Sequence, residues 1–371
     1  MSDVSVPDKM SFFADLKRDF LAKRKKLEKN EISDNSDIES IASTEDESDN
    51  EQIYKRGGYL KGSPGKMIGK KYELVKKVGR GHFATVWKVV ENKNTEKEAF
   101  KALKIQKSAK DYRLSAYDEV FIHMHLKKTK HEYSAYVNLL EHNFEHIYNN
   151  FKHVCFVFPV MDTTLHEVIE KKTLSLQETS KLAYELLCGL DYLHSCGIIH
   201  SDLKPDNILL KEDSDFYTSQ ISDLGTACII GDRSSSYLQT LHFRAPEIIL
   251  QYKYFDHKVD IWSLGCVLYL CLTNTYPFEG EEEEDILTSA IELLGRPRSS
   301  FLEDCKKTRE FYDRESKYKI NVNPLPLHRV LKEEYEFDAT TVQQICKFLH
   351  PIFEFNPRER AEAKVLLEFF K

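Results

Sequence analysis

The chain has 371 residues, a net charge of -7, 30% charged and 41% hydrophobic residues, enough for one large or two medium domains with a substantial core. This acidic balance argues against a general nucleic-acid binder and favours cationic partners. Eight scattered cysteines without a C-x-x-C pair indicate neither a zinc site nor a disulfide framework; with no apolar h-region at the N-terminus and a longest near-apolar run of only Trp262 to Leu272, the expectation is a soluble intracellular protein with no membrane role.

In chain order, Lys17-Arg18 and Lys23-Arg24-Lys25-Lys26 are interleaved with Phe12, Phe13, Leu16, Phe20 and Leu21, a pattern open to one amphipathic helix. The basic run at 23–26 reads equally as a nuclear-import signal or as a solvated helix face. Residues 30–52 then carry nine acidic residues, six Ser or Thr and no Lys or Arg. Such a tract cannot bury enough apolar area to offset its chain entropy, so residues 1–53 are expected to form a disordered charged extension. Ser43, Thr44 and Ser48 precede acids and are phosphorylation candidates. Residues 54–71 form a lead-in, and globular composition begins at about Tyr72.

Val78-Gly79-Arg80-Gly81-His82-Phe83-Ala84-Thr85-Val86 joins two β-rich runs through a glycine-containing turn, where backbone N–H groups can approach phosphates. The strand Lys101-Ala102-Leu103-Lys104-Ile105 offers two lysines that alternation alone does not separate. Ser115 to Leu126 has helical spacing, with Tyr117, Val120, Phe121 and Met124 as its apolar positions and Glu119 or its neighbour Asp118 as the inward acid. Cys155 to Met161 reads as a buried strand running into an extended link; Leu182, Leu186, Leu190 and Leu193 mark a core-facing helix.

Between Ile198-Ile199 and Ile208-Leu209-Leu210, both short β runs, lies His200-Ser201-Asp202-Leu203-Lys204-Pro205-Asp206-Asn207. An Asp held there can accept the proton of an attacking hydroxyl, a Lys can neutralise a moving phosphate, and an Asn can hold Mg²⁺. This block resembles the catalytic loop of protein kinases. Asp223-Leu224-Gly225 is similar to that family's D-F-G, and Ala245-Pro246-Glu247 matches its A-P-E. The resemblance implies an α+β, bilobal protein-kinase fold over 72–371, with a β-rich small lobe 72–158, a hinge 159–161 and a helical large lobe 162–371. It implies ATP and Mg²⁺ as cofactors, with the nucleotide bound by residues 78–86, Ala102, Lys104, Glu119, Phe158, Met161, Leu209 and Asp223. Lys104 is favoured over Lys101 by the Ala two residues before it, and would pair with Glu119. Phe158 would sit behind the adenine, and Met161 would supply a backbone donor. Asp202 and Lys204 would act on the hydroxyl and the transferring charge, and Asn207 and Asp223 on the metal. Glu247 would pair with Arg360, and Asp260 would anchor the catalytic loop from a central helix.

Less general stretches resemble the SR-protein kinases of the CMGC group: Tyr54 to Tyr59, Gly81 to Trp87, Lys107 to Tyr112, Ser222 to Cys228 and Ile291 to Gly295. The likeness implies serine phosphorylation of basic, Arg-Ser-rich protein partners by a monomeric enzyme without direct nucleic-acid contact, in the cytoplasm, the nucleus or both. Asp285 and Glu292 match the family's acidic docking groove and, seven apart on a helix, share one face. Ser201 stands where many kinases have an Arg that a loop phosphate offsets, so activity is expected without phosphorylation of Ser234, Ser235 or Ser236. Departures are the short segment 211–220 in place of a long spacer, Glu334 for a basic groove residue, and Leu241 for a phosphoserine-receiving Arg, although Arg244 remains. Two other readings stand: a LAMMER- or DYRK-type dual-specificity kinase, sharing His242 to Glu247, and a pseudokinase scaffold, suggested by Ala84, Leu224 and Ser201. His123 occupies a position that is usually apolar and has no role in any of these.

Overall fold

Alternating apolar residues between Met67 and Pro159 build a six-stranded antiparallel sheet in the computed structural model, which describes residues 6–31, 51–55, 57–214, 216–231, 238–313, 318–320 and 322–371. The chain divides into two units, Met1–Thr129 with Asn138–Met161, and Lys130–Val137 with Asp162–Lys371. In the first, α1 (Val6–Glu31) precedes β1 (Met67–Ile68), β2 (Tyr72–Arg80), β3 (Ala84–Glu91), β4 (Ala99–Gln106), α2 (Lys110–Lys128), β5 (His142–Tyr148) and β6 (Phe151–Pro159). The sheet order is β1-β2-β3-β4-β6-β5. Its inward residues, among them Leu74, Trp87, Leu103 and Val157, form one apolar core. The lead-in belongs to this unit: β1 pairs with β2, and Tyr59 Oη donates to the carbonyl of Gly81 at 2.7 Å.

The N-terminal segment departs from the expected disorder of residues 1–53. Leu16 and Phe20 of α1 are buried, the Phe20 ring meets Phe121 of α2 edge-on at 5.2 Å, and Arg24 pairs with Asp118 at 3.1 Å. Composition describes a segment by itself, whereas a helix marginal alone is stabilised by packing its apolar stripe on a neighbour. Residues 32–50, with Ser43, Thr44 and Ser48, lie outside the described residues. The apolar stripe expected on α2 holds at Tyr117 and Val120, which pack against a core cluster, and is corrected at Met124. Its buried residues are Leu114, Ala116, Glu119, Ile122, His123 and Leu126, while Met124 is 47% exposed. Phe121 faces α1, so a helix covered on two sides hides its phase from a one-stripe reading.

The second unit contains β7 (Thr163–Thr164), α3 (Leu165–Ile169), α4 (Leu176–Ser195), β8 (Ile198–Ile199), β9 (Ile208–Glu212), β10 (Tyr217–Ile221), β11 (Cys228–Ile229), α5 (Pro246–Ile249), α6 (Lys258–Thr273) and α7 (Glu283–Leu294), followed by shorter helices. Ser175 and Glu178 close a capping box at the start of α4, whose four predicted leucines are all buried. Every residue of α6 is buried, making it the axis of this unit. Residues 130–137 join this unit because Val137 bridges Ile221 and Gln220 Nε2 donates to the carbonyl of Ala135 at 2.8 Å. Gly189 permits that approach, since a Cβ there would stand 3.0 Å from the Tyr136 carbonyl oxygen. All eight cysteines are free thiols, and among the described residues no helix is long and apolar enough to cross a membrane.

Candidate active site

The glycine-containing turn between β2 and β3 is open where it matters. Neither Gly79 nor Gly81 has a positive φ, and a Cβ on either would meet nothing within 4 Å. Nothing in the fold requires glycine at these positions; what the missing side chains leave is room for a ligand to approach the backbone. Gly81 N donates to the Ala84 carbonyl at 2.9 Å, closing the turn. Val78, Arg80, His82 and Phe83 are exposed around it, Ala84 and Thr85 are buried, and the Phe83 ring lies 5.8 Å from that of Tyr112.

Register separates the two lysines. Lys104 lies opposite Val86 on one side and Phe156 on the other, and its Nζ donates to both oxygens of Glu119, at 2.8 and 2.9 Å. Lys101 pairs instead with Glu141 at 2.6 Å, and Asp118 with Arg24. Ala102 lies opposite Phe158, whose half-buried ring meets His123 at 5.4 Å; Met161 follows the end of β6.

In the second unit the loop at 200–207 is hung from α6. Asp260 Oδ2 accepts from His200 N at 2.8 Å and from His194 Nε2 at 2.9 Å, and Oδ1 accepts from Ser201 N at 2.8 Å. Burial alone would raise this carboxyl's pKa, but the His194 bond and the neighbouring charges and N–H groups hold it below its ordinary value. Ser201 adopts a φ of 66° and its hydroxyl donates to the Thr226 carbonyl at 2.6 Å. Asp202 Oδ1 accepts from Thr240 Oγ1 at 2.7 Å and Thr240 N at 3.1 Å; its Oδ2 faces Lys204 Nζ at 3.1 Å and Asn207 Nδ2 at 3.3 Å. Lys204 Nζ also donates to Thr240 Oγ1 at 2.9 Å. Ser222 N donates to the Asn207 carbonyl at 2.9 Å, which brings the following residue, the exposed Asp223, beside the loop; Asp223 has a φ of 59° and accepts from Gly225 N. Leu209 is half-buried on β9, and Leu224 is buried.

Asn207 Nδ2 is occupied by the Asp202 carbonyl at 2.9 Å, so the amide presents its oxygen to a ligand. With the Asp223 carboxylate this makes a sparse all-oxygen donor pair. Among the described residues no group of three or more His, Cys, Asp or Glu stands ready for a metal. That sparse set fits Mg²⁺, which takes one or two protein oxygens and fills its octahedron with water and phosphate.

Sequence reasoning missed Thr240 and Gln239, whose only signal is their place five and six residues before Ala245. The buried Gln239 donates from Nε2 to Val259 O at 2.9 Å, Ser263 Oγ at 2.8 Å and Phe243 O at 3.2 Å, accepts from Ala245 N at 2.9 Å, and donates from its backbone to Ser201 O at 3.0 Å. Arg244, expected as a spare phosphate receiver, is committed elsewhere. It is buried, donates to the Gln239 carbonyl at 2.8 Å and pairs with Glu283 at 2.9 Å, because a guanidinium desolvated at this depth needs a carboxylate and carbonyls around it. Ser234, Ser235 and Ser236 lie outside the described residues.

Glu247 and Arg360 form a bidentate buried pair at 2.6 and 2.8 Å. The helix expected from Ile286 begins earlier, at Glu283, because the acidic run complements its N-terminus. Asp285 Oδ2 accepts from Glu281 N and Glu282 N at 3.0 Å, and Glu292 Oε1 accepts from Asn323 N at 3.0 Å. Each carboxylate is thus oriented by one oxygen on backbone. A cleft of about 320 Å³ at the N-terminal end of this helix is lined by Leu241, Arg244, Ile248, Gln251, Glu281, Glu282, Glu283 and Lys307.

Residues 72–369 match the protein kinase domain. The serine/threonine-protein kinase SRPK of Physarum polycephalum is 31% identical over 388 residues, covering 87% of this chain and 90% of that one. The dual specificity tyrosine-phosphorylation-regulated kinase 3 of Mus musculus is 37% identical over 259 residues, and a putative homolog of that kinase in Drosophila melanogaster is 37% identical over 270. These two matches take in 69% and 72% of this chain but only 41% and 31% of the relatives' own lengths. Fold, motif geometry and relatives agree: the chain belongs to the eukaryotic protein kinases, as a serine/threonine kinase of the SRPK and DYRK type within the CMGC group.

Proposed function

We propose that this kinase transfers the γ-phosphoryl group of ATP to serine in Arg-Ser-rich proteins, and does so without a phosphate on its own activation segment. Asp202, oriented by Thr240 and Asn207, accepts the proton of the serine hydroxyl as the new O–P bond forms and the bond from the γ-phosphorus to the β–γ bridging oxygen breaks, releasing ADP. Lys204 stabilises the charge on the moving phosphoryl group, and Lys104, braced by Glu119, orients the α and β phosphates. Mg²⁺ held by the Asn207 amide oxygen and the Asp223 carboxylate would neutralise phosphate charge.

The Gln239–Ser201 network is the observation that carries the second half of the proposal. An Arg at position 201 would bury a positive charge next to the base; Ser201 is neutral and satisfied by the Thr226 carbonyl. The segment that follows is fastened by Gln239 to the catalytic loop and to α6, a role a phosphate serves where such bonds are lacking. For the substrate, Asp285 and Glu292 supply two oriented carboxylates on one helix, suited to arginines.

Asp202→Ala should cut the turnover rate by at least about a hundredfold while nucleotide affinity stays near wild type. Retained turnover would remove Asp202 from the chemistry. The 37% identity to dual-specificity kinases favours a second reading. A peptide array containing Arg-Ser repeats, proline-directed sites and tyrosine acceptors separates the two.

A further inference from the structure

His123, on the buried face of α2, has no part in the chemistry above. It is 1% exposed, and its Nδ1 lies 3.3 Å from the backbone nitrogen of Leu140. A backbone N–H can only donate, so Nδ1 is the bare acceptor and the proton of the neutral ring sits on Nε2. That buried Nε2–H has no hydrogen-bond partner. Glu119 Oε1 is 3.9 Å from it, one helical turn back. The edge-on contact with Phe158, at 61° between ring planes, and the bond from Leu140 together fix the imidazole's orientation.

Glu119 spends both oxygens on Lys104, at 2.8 and 2.9 Å. An ammonium has three N–H bonds, enough in number for both carboxylate oxygens and a phosphate, but turning it toward phosphates changes its angle to Glu119 and weakens the bond to one of the two oxygens. We propose that His123 is a positioning residue: its Nε2–H takes Glu119 Oε1 when a nucleotide draws Lys104 toward its phosphates. A closing of roughly 1 Å turns the present separation into a hydrogen bond. The free protein then carries one unsatisfied buried donor, which nucleotide binding satisfies. Leucine at this position would relieve the free protein of that donor but leave a buried carboxylate oxygen short of a partner in the loaded state. The two states therefore respond to one substitution with opposite sign, which a purely packing role would not produce.

This rests on the reading of Lys104 as the nucleotide lysine, so the experiment includes Lys104→Met. Affinity for Mg·ADP is measured by calorimetry, with melting temperature, for wild type, His123→Leu, His123→Gln and Lys104→Met; ¹⁵N NMR of the histidine ring follows the wild type with and without Mg·ADP. His123→Leu should bind about tenfold more weakly, the scale of one charge-assisted hydrogen bond, and melt no lower than wild type. His123→Gln, whose amide N–H can stand near the Nε2–H, should recover most of the affinity. The ring should stay protonated on Nε2 and bare on Nδ1, with the Nε2 signal shifting on nucleotide binding. Unchanged affinity in His123→Leu beside a weakened Lys104→Met overturns this proposal alone. An unchanged Lys104→Met overturns the lysine's role itself. A proton found on Nδ1 overturns the proposal even if His123→Leu fails to fold.

Discussion

Gln239→Ala is the substitution that bears most on activity without a loop phosphate. Gln239 is 6% exposed and both ends of its side-chain amide are hydrogen-bonded. Truncation strands the buried N–H of Ala245, at about 1–3 kcal/mol, and leaves a small cavity worth about another 1–2 kcal/mol. The backbone bonds of Gln239 to Ser201 and Arg244 survive truncation, so about 3 kcal/mol is the central expectation. Gln239→Glu should be at least as damaging, since a carboxylate would face the oxygens of Phe243, Val259 and Ser263 with no proton to donate. Urea denaturation gives the stability, and turnover of bacterially expressed, phosphatase-treated protein gives the functional consequence. Because Thr240, the next residue, holds the Asp202 carboxylate, turnover should fall beyond what lost folded protein explains. A variant within about 0.5 kcal/mol of wild type and fully active would refute the reasoning.

Stability should also depend on pH through His257, whose imidazole is pushed down to about 4 by burial and by His194, with Asp256, Lys258 and Asp260 also facing it. Its unfolded value is about 6.5, so the contribution is complete above that pH and lost as pH falls from 6.5 toward 4, by up to about 3 kcal/mol. His257→Phe should flatten that slope in denaturation curves, whereas an unchanged slope would place the dependence elsewhere. Asp260, held below its ordinary value, adds its own loss only below about pH 4. Glu247→Ala should cost about 3–5 kcal/mol by leaving the Arg360 guanidinium buried without its carboxylate, and Glu247→Gln less; equal effects in denaturation would show that charge is not the issue.

What the sequence made legible were residues whose neighbours along the chain declare them. Asp202, Asn207 and Asp223 sit in short polar blocks between β runs, and part of their bonding stays within those blocks, Asn207 to Asp202 and Gly225 to Asp223. Lys104 over Lys101 and Glu119 over Asp118 came from the family resemblance, because residue pattern alone lacks the strand register and the phase of α2 that bring Lys104 and Glu119 together. The docking of α1, the Thr240 contact with Asp202 and the commitment of Arg244 to Glu283 all depend on partners tens of residues away. No periodicity or motif spacing carries that information. Arg244 is the instructive case, because its charge suggested a free phosphate receiver, while its burial shows a guanidinium already neutralised.

The central claim is tested most directly by one assay: transfer of labelled γ-phosphate from ATP to an Arg-Ser repeat peptide by bacterially expressed, phosphatase-treated protein. The account predicts rapid labelling of serine, abolished in Asp202→Ala and exceeding that of a proline-directed peptide. Labelling that begins only after the activation segment is phosphorylated, or that favours the proline-directed peptide, would contradict it.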